Sequence, residues 1–194
     1  MSYQALIKSH FEESIAAKQK AMNALADVVS QSAEILVQTL KQEGKIFVCG
    51  NGGSAADCQH FAAELMNRFE TERAPLPAIA LTTDTSNLTS IANDYSYAVV
   101  FSKQLTALAN RKDCLVVIST SGNSPSVLNA IHVGLQKGLR VIALTGKNGG
   151  EIARIQHPDF LEIRVPHERT ARIQEVHMLI IHAWCHAIDV AFID

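Results

Sequence analysis

The stretch FVCGNGGSAADCQHFAAELMNRF, from Phe47 to Phe69, sets the frame for the rest of the chain. It opens as an apolar run, the pattern of a strand buried on both faces. A polar loop carrying Gly50, Gly52 and Gly53 follows. From Ser54 to Phe69 the pattern is helical, with Phe61, Leu65 and Phe69 along one stripe. Strand, glycine loop and helix in that order begin a βαβ unit. The same helix sets Asp57, His60 and Glu64 on one side, because residues three and four apart share a face.

Outward from this unit the alternation repeats. PAIAL, CLVVIS, RVIALTG and FLEIRV read as four more strands. Helical segments are expected near Ser86–Ala92, Ser96–Ala109, in SPSVLNAIHVGLQKG, and from about Thr170 to Ala191. Apolar strands alternating with helices give an α/β domain with a five-stranded parallel sheet and right-handed crossovers. Pro75 and Pro77 mark a loop entering the second strand, not a domain boundary. Residues 1–194 are therefore expected to form one domain. Upstream, residues 1–43 contain neither Gly nor Pro and read as two helices, the second from about Ser30 to Gln42, ended by Gly44. They have no place in a minimal βαβ unit and pack on this domain or on a second subunit.

Composition narrows the function. With 194 residues the chain buries a substantial core. A net charge of -2 and the lack of a basic run argue against nucleic acid. No apolar stretch reaches the roughly 18 residues of a membrane span, and the N-terminus lacks a signal-peptide core, so a cytoplasmic protein is expected. Cys49, Cys58, Cys114 and Cys185 form no CxxC pair and read as reduced structural thiols.

Chemistry in open parallel sheets collects outside the carboxyl ends of the strands. Those ends carry GNGGS (Gly50–Ser54), TTDTSN (Thr82–Asn87), STSGNS (Ser119–Ser124) and TGKNGG (Thr145–Gly150). GNGGS is not a dinucleotide fingerprint, since the third glycine position holds Ala55, and it lacks the lysine of a P-loop. It reads as a tight turn that lets a ligand approach backbone amides. STSGNS places hydroxyls at Ser119, Thr120, Ser121 and Ser124 just before Pro125. It is either an anion cradle at a helix N-terminus or a polar loop with Ser124 as an N-cap. His60 and Glu64 are either a surface pair or a site pair, both side chains being good Zn²⁺ donors. The last helix adds Gln174 and His182, eight residues and about 12 Å of helix axis apart, so extended side chains or two subunits are needed to bring them to one centre. His177 and His186 read as ordinary core or surface histidines.

Taken together, CGNGGSAADCQHFAAEL, IANDYSY, ISTSGNS, ALTG and RIQEVHMLIIH resemble the phosphoheptose isomerase family of SIS (sugar isomerase) domains over nearly the whole chain. The resemblance implies a three-layer sandwich with a five-stranded parallel sheet, and a homotetramer with active sites at subunit interfaces, the N-terminal helices serving in oligomerisation. It implies isomerisation of D-sedoheptulose 7-phosphate to D-glycero-D-manno-heptose 7-phosphate, the first step toward lipopolysaccharide heptose. The family's zinc ligands, one ion per subunit, match His60, Glu64, Gln174 and His182. Its substrate contacts match Asn51, Gly52, Gly53, Glu64, Asn93, Asp94, Ser119, Thr120, Ser121, Ser124 and Gln174. Glu64 and His182 then become the catalytic base and acid. Some members carry an acid where this chain has Ala171. A paralogue, DiaA, shares the fold and binds the replication initiator DnaA, and NRFETER (Asn67–Arg73) looks as much like it as like the isomerases. DiaA lacks the carboxylate and imidazole matching Glu64 and His182; their presence here favours an enzyme over a DnaA-binding module.

Overall fold

Five strands form the centre: β1 (Ile46–Gly50), β2 (Ala78–Ala80), β3 (Cys114–Ser119), β4 (Arg140–Gly146) and β5 (Phe160–Val165). The computed structural model describes residues 2–193, so the outermost residues of the expected 1–194 span lie outside it. All pairings are parallel and the strand order is β2-β1-β3-β4-β5. The chain leaves β1 for one edge, then returns to the other side of β1 with β3. That reversal opens a crevice at the carboxyl ends of β1 and β3, where GNGGS and STSGNS stand.

Helices cover both faces: α1 (Tyr3–Lys41), α2 (Gly53–Met66), α3 (Thr85–Asp94), α4 (Val100–Leu108), α5 (Pro125–Gln136) and α6 (Thr170–Phe192), with short 3₁₀ turns at Tyr97–Val99 and Ile152–Arg154. The parallel sheet expected from the apolar runs forms, and the helices on its two faces make the three-layer sandwich that the family resemblance implies. Alternate strand residues feed two cores. Ile46, Val48, Val116 and Ile142 pack under α1, α2 and α6, whereas Phe47, Cys49, Val117 and Val141 pack under α3, α4 and α5. All four cysteines are free and buried among these side chains.

The N-terminal segment differs from expectation. It is one helix of 39 residues rather than two, capped at its start by the Ser2 hydroxyl. Its buried positions, Ala17, Ala21, Leu25, Ser32, Leu36 and Leu40, run through the expected break without interruption. Packing on α6 holds the helix through the weak formers Asp27 and Ser30, and Trp184 Nε1 donates to the buried Ser32 hydroxyl at 2.8 Å. The residue that ends α1 with a left-handed backbone is Glu43 (φ 61°), not Gly44. The first turns of α1 are tied to α6 by Glu13 with Arg169 and by Ser14 with Glu175.

Candidate functional site

The β1–α2 turn fixes the first group of expected ligand contacts. Gly52 is the N-cap of α2 with φ 58° and ψ -123°, a conformation only glycine adopts without strain. The turn is closed by its own backbone: the Ser54 amide donates to the Asn51 carbonyl at 3.1 Å and the Ala55 amide to the Gly52 carbonyl at 3.0 Å. Gly53 has an ordinary backbone, but a Cβ there would stand 2.5 Å from Gln174 Nε2. Lack of a side chain at Gly53 is what lets the carboxamide at the start of α6 lie against the start of α2.

STSGNS occupies the neighbouring strand end. Ser119 Oγ accepts from the Gly122 amide at 3.2 Å, which folds the loop back on itself. Ser124 sits at the N-cap position with Pro125 at the head of α5, yet its hydroxyl makes no capping bond and lies 3.4 Å from Ser119 Oγ. The N-cap alternative is therefore realised in position but not in bonding, and the hydroxyls of Thr120 and Ser124 stay half-exposed at the helix N-terminus. Asn123 Oδ1 accepts from the Glu151 amide at 2.9 Å, which ties the loop to TGKNGG.

Asn51 joins these two loops. Its Nδ2 donates to Ser126 Oγ at 3.0 Å, and its Oδ1 accepts from the Tyr97 hydroxyl at 2.9 Å. Asn93 and Asp94 end α3, exposed, with Asn93 Nδ2 donating to Asp94 Oδ1 at 2.9 Å. The result is a polar rim at the sheet switch point made by Asn51, the Gly52–Gly53 turn, Ser119–Ser124 and Gln174, with Asn93 and Asp94 on the neighbouring helix end.

A second cluster stands two turns further along α2. His60 Nε2 lies 3.0 Å from His182 Nε2 and 3.4 Å from Glu64 Oε1. Phe69 covers the His182 ring at a centroid distance of 5.5 Å. These three donors suit zinc. Zn–N bonds of about 2.0–2.1 Å in a tetrahedron put two nitrogens about 3.3 Å apart, close to the separation seen here. Among the described residues no group of three or more His, Cys, Asp or Glu side chains is already arranged as a metal cage. Gln174, the fourth expected ligand, is not with them: it lies at Gly53, seven residues or about 10 Å of helix axis before His60. The structure thus brings His60, Glu64 and His182 together and places Gln174 with the polar rim of the same protomer.

Between the two groups, Asp57 stands near the middle of α2. Its Oδ2 is buried without a hydrogen-bond partner. Burial pushes its carboxyl above the usual range, and His60 partly offsets this. His177 and His186 match their ordinary readings. His177 is buried and bonded to the Thr145 carbonyl at 2.9 Å, whereas His186 faces Glu70 on the surface. Arg73 is a functional neighbour that the sequence reading missed. Its guanidinium caps the end of α2, donating to the Glu64 and Leu65 carbonyls at 2.9 Å, and it pairs with buried Asp189. The second missed residue is Tyr97. Tyr97 ends IANDYSY and Arg73 ends NRFETER, but neither stretch assigns these side chains a role; only the fold brings them to the site.

The chain is thus an open parallel α/β domain, polar at its switch point and bearing a carboxylate–imidazole cluster nearby, and residues 10–146 match the SIS domain family. The phosphoheptose isomerase of Laribacter hongkongensis is 56% identical over 183 residues, covering 94% of this chain and 93% of that one. That of Coxiella burnetii is 55% identical over 183 residues, covering 94% and 92%. The solved phosphoheptose isomerase of Neisseria gonorrhoeae superposes with a TM-score of 0.92 at 51% identity, covering 97% of this chain and all of that one. The Francisella tularensis enzyme gives 0.95 at 45% identity, covering 98% and 100%. This chain belongs to the phosphoheptose isomerase family of SIS-domain proteins.

Proposed function

We propose that the chain isomerises D-sedoheptulose 7-phosphate to D-glycero-D-manno-heptose 7-phosphate, an aldose–ketose isomerisation at the head of lipopolysaccharide heptose synthesis. The observation that carries this reading is the meeting of Glu64 and His182 at His60, on the same helix whose start forms the polar rim. The separation of about 10 Å along α2 suits an extended seven-carbon chain with phosphate at one end and its reacting carbons at the other.

The Ser119–Ser124 loop takes the phosphate, with its free hydroxyls and the α5 N-terminus supplying donors. Asn51, the Gly52 and Gly53 amides, Asn93, Asp94 and Gln174 address sugar hydroxyls. Phosphate binding far from the reacting carbons then contributes to orienting them. Glu64 takes the proton from C1 while His182 protonates the C2 oxygen, giving an enediol. Return of the Glu64 proton to C2, with loss of the C1 hydroxyl proton to His182, yields the aldose. His60, Glu64 and His182 also form a donor set for one zinc ion per subunit, which when bound polarises sugar oxygens. Metal binding lowers the basicity of Glu64, so the carboxylate serves both roles only if it moves between them.

We further propose a homotetramer with active sites at subunit interfaces. Tyr3, Leu6, Ile7, Phe11, Ile15 and Met22 expose apolar surface on α1, which supports burial against another copy. A single centre holding His60, Glu64, Gln174 and His182 needs more than one subunit, because Gln174 lies two turns away within a protomer. No helix of the described residues is long and apolar enough to cross a membrane. Glu64→Gln tests the reaction: turnover should fall about 10²- to 10⁴-fold with oligomeric state and phosphate affinity retained. An unchanged rate would sink the role given to Glu64.

A further inference from the structure

The Asn51 carboxamide is held from two sides by hydroxyls on different elements. Tyr97, on the 3₁₀ turn after α3, bonds its Oδ1 at 2.9 Å, and Ser126, buried in the first turn of α5, bonds its Nδ2 at 3.0 Å. A carboxamide offers two N–H donors and two oxygen lone pairs. These bonds use one of each. One donor and one acceptor are left, and they lie in the plane that the two hydroxyls fix. The same count holds whichever way round the amide sits, since each hydroxyl can donate or accept. A free asparagine side chain has a broad, roughly two-fold terminal torsion; here the two bonds narrow it to one orientation.

The two clamps differ in surroundings. Ser126 is buried, at 2% exposure, and bound to the phosphate-loop helix. Tyr97 is 54% exposed, with its ring edge-on to Phe101 at 6.4 Å and its hydroxyl at the rim. The turn that carries Tyr97 is anchored separately: Asn129 Nδ2 donates to the Ala98 carbonyl at 2.9 Å, and the Ser96 hydroxyl caps the turn. Removing the Tyr97 hydroxyl therefore frees the Asn51 amide without loosening the turn, and leaves Ser119–Ser124 untouched.

We propose that Tyr97 is a positioning residue for the sugar part of the ligand. Through its bond to Asn51, it sets the orientation in which the asparagine's remaining N–H and lone pair meet sugar hydroxyls, while the phosphate is held independently. This rests on the isomerase reading for the identity of the ligand.

The test is steady-state kinetics on D-sedoheptulose 7-phosphate with wild type, Tyr97→Phe, Ser126→Ala and the double variant, together with inhibition by inorganic phosphate. Tyr97→Phe should raise KM about 3- to 10-fold, the worth of one neutral hydrogen bond, with kcat within about twofold. The phosphate inhibition constant should stay the same, which a general disturbance of the site would not allow. Because both clamps act through one amide, the double variant should raise KM by less than the product of the single effects. An unchanged KM in Tyr97→Phe, a loss confined to kcat, a matching loss of phosphate affinity, or fully multiplicative effects each overturns the proposal. A wild type without turnover overturns the isomerase reading and this proposal together, whereas an active wild type with an indifferent Tyr97→Phe overturns this proposal alone.

Discussion

Gly53→Ala separates activity from folding. Gly53 begins α2 with an ordinary backbone, so alanine is accepted there and by propensity adds up to about 1 kcal/mol of helix stability. The added Cβ would stand 2.5 Å from Gln174 Nε2, where ordinary contact begins at 3.4 Å, so the amide must retreat by about 0.9 Å. The atom in the way is the end of a flexible side chain, and a rotamer shift costs about 0.5–1.5 kcal/mol. The two terms nearly cancel, so the melting temperature should stay within about 4 °C of wild type. Catalysis does not share that tolerance, because a displacement of about 1 Å in a group that positions substrate costs on the order of 10²-fold. The variant should lose about 10- to 100-fold in kcat/KM, or about 1.4–2.8 kcal/mol of transition-state stabilisation. Initial rates on D-sedoheptulose 7-phosphate and a thermal melt measure both sides. Wild-type kcat/KM would show that Gln174 does not touch the substrate, and joint loss of activity and fold would make the glycine purely structural.

Two further outcomes concern the frame that holds the site. Burial alone would raise the Asp189 carboxyl pKa, but the Thr71 and Glu70 amides and the Arg73 guanidinium outweigh it and hold it below the ordinary value. Its contribution is present above the unfolded carboxylate pKa and is lost as pH falls through the lower folded one. Arg73→Met leaves Asp189 buried without its cation and uncaps α2, so unfolding in urea at pH 7 should show a loss of about 3–5 kcal/mol; a change under about 1 kcal/mol would contradict this. Burial drives His177 down to about 4, against a smaller opposing effect from its bond to the Thr145 carbonyl. The unfolded histidine titrates near 6.5, so full stability holds above that pH and declines between about 6.5 and 4. Between pH 7 and pH 5 this residue should account for about 2 kcal/mol of lost stability, and His177→Gln should remove that part of the loss. Equal pH dependence in both proteins would refute it.

Much of this was legible from the sequence, for physical reasons. The sheet was readable because buried parallel strands are apolar on both faces, so IFVCG and CLVVIS show without alternation. The polar switch point followed from the small residues after those strands. The single helix α1 was not readable, because its continuity through Asp27 and Ser30 comes from packing on α6 and from the Trp184–Ser32 bond. His60 and Glu64 showed by spacing, but their meeting with His182 depends on α2 and α6 lying side by side. Gln174 sits apart from them for the same reason: eight residues of straight helix keep it at Gly53. Tyr97 and Arg73 lie in quoted stretches, IANDYSY and NRFETER, but their roles were not legible there, since one acts through a distant asparagine and the other through backbone carbonyls.

The central claim is that Glu64 and His182 move a proton between C1 and C2 of a heptulose phosphate in a metal-holding site. Its most direct test is NMR of D-sedoheptulose 7-phosphate incubated with the purified protein, alone, with a chelator, and with chelator followed by excess zinc. D-glycero-D-manno-heptose 7-phosphate should appear in the first tube, be lost in the second and return in the third. No aldose phosphate in any tube would contradict the isomerase reading. Full turnover in the chelated sample would contradict the role given to zinc.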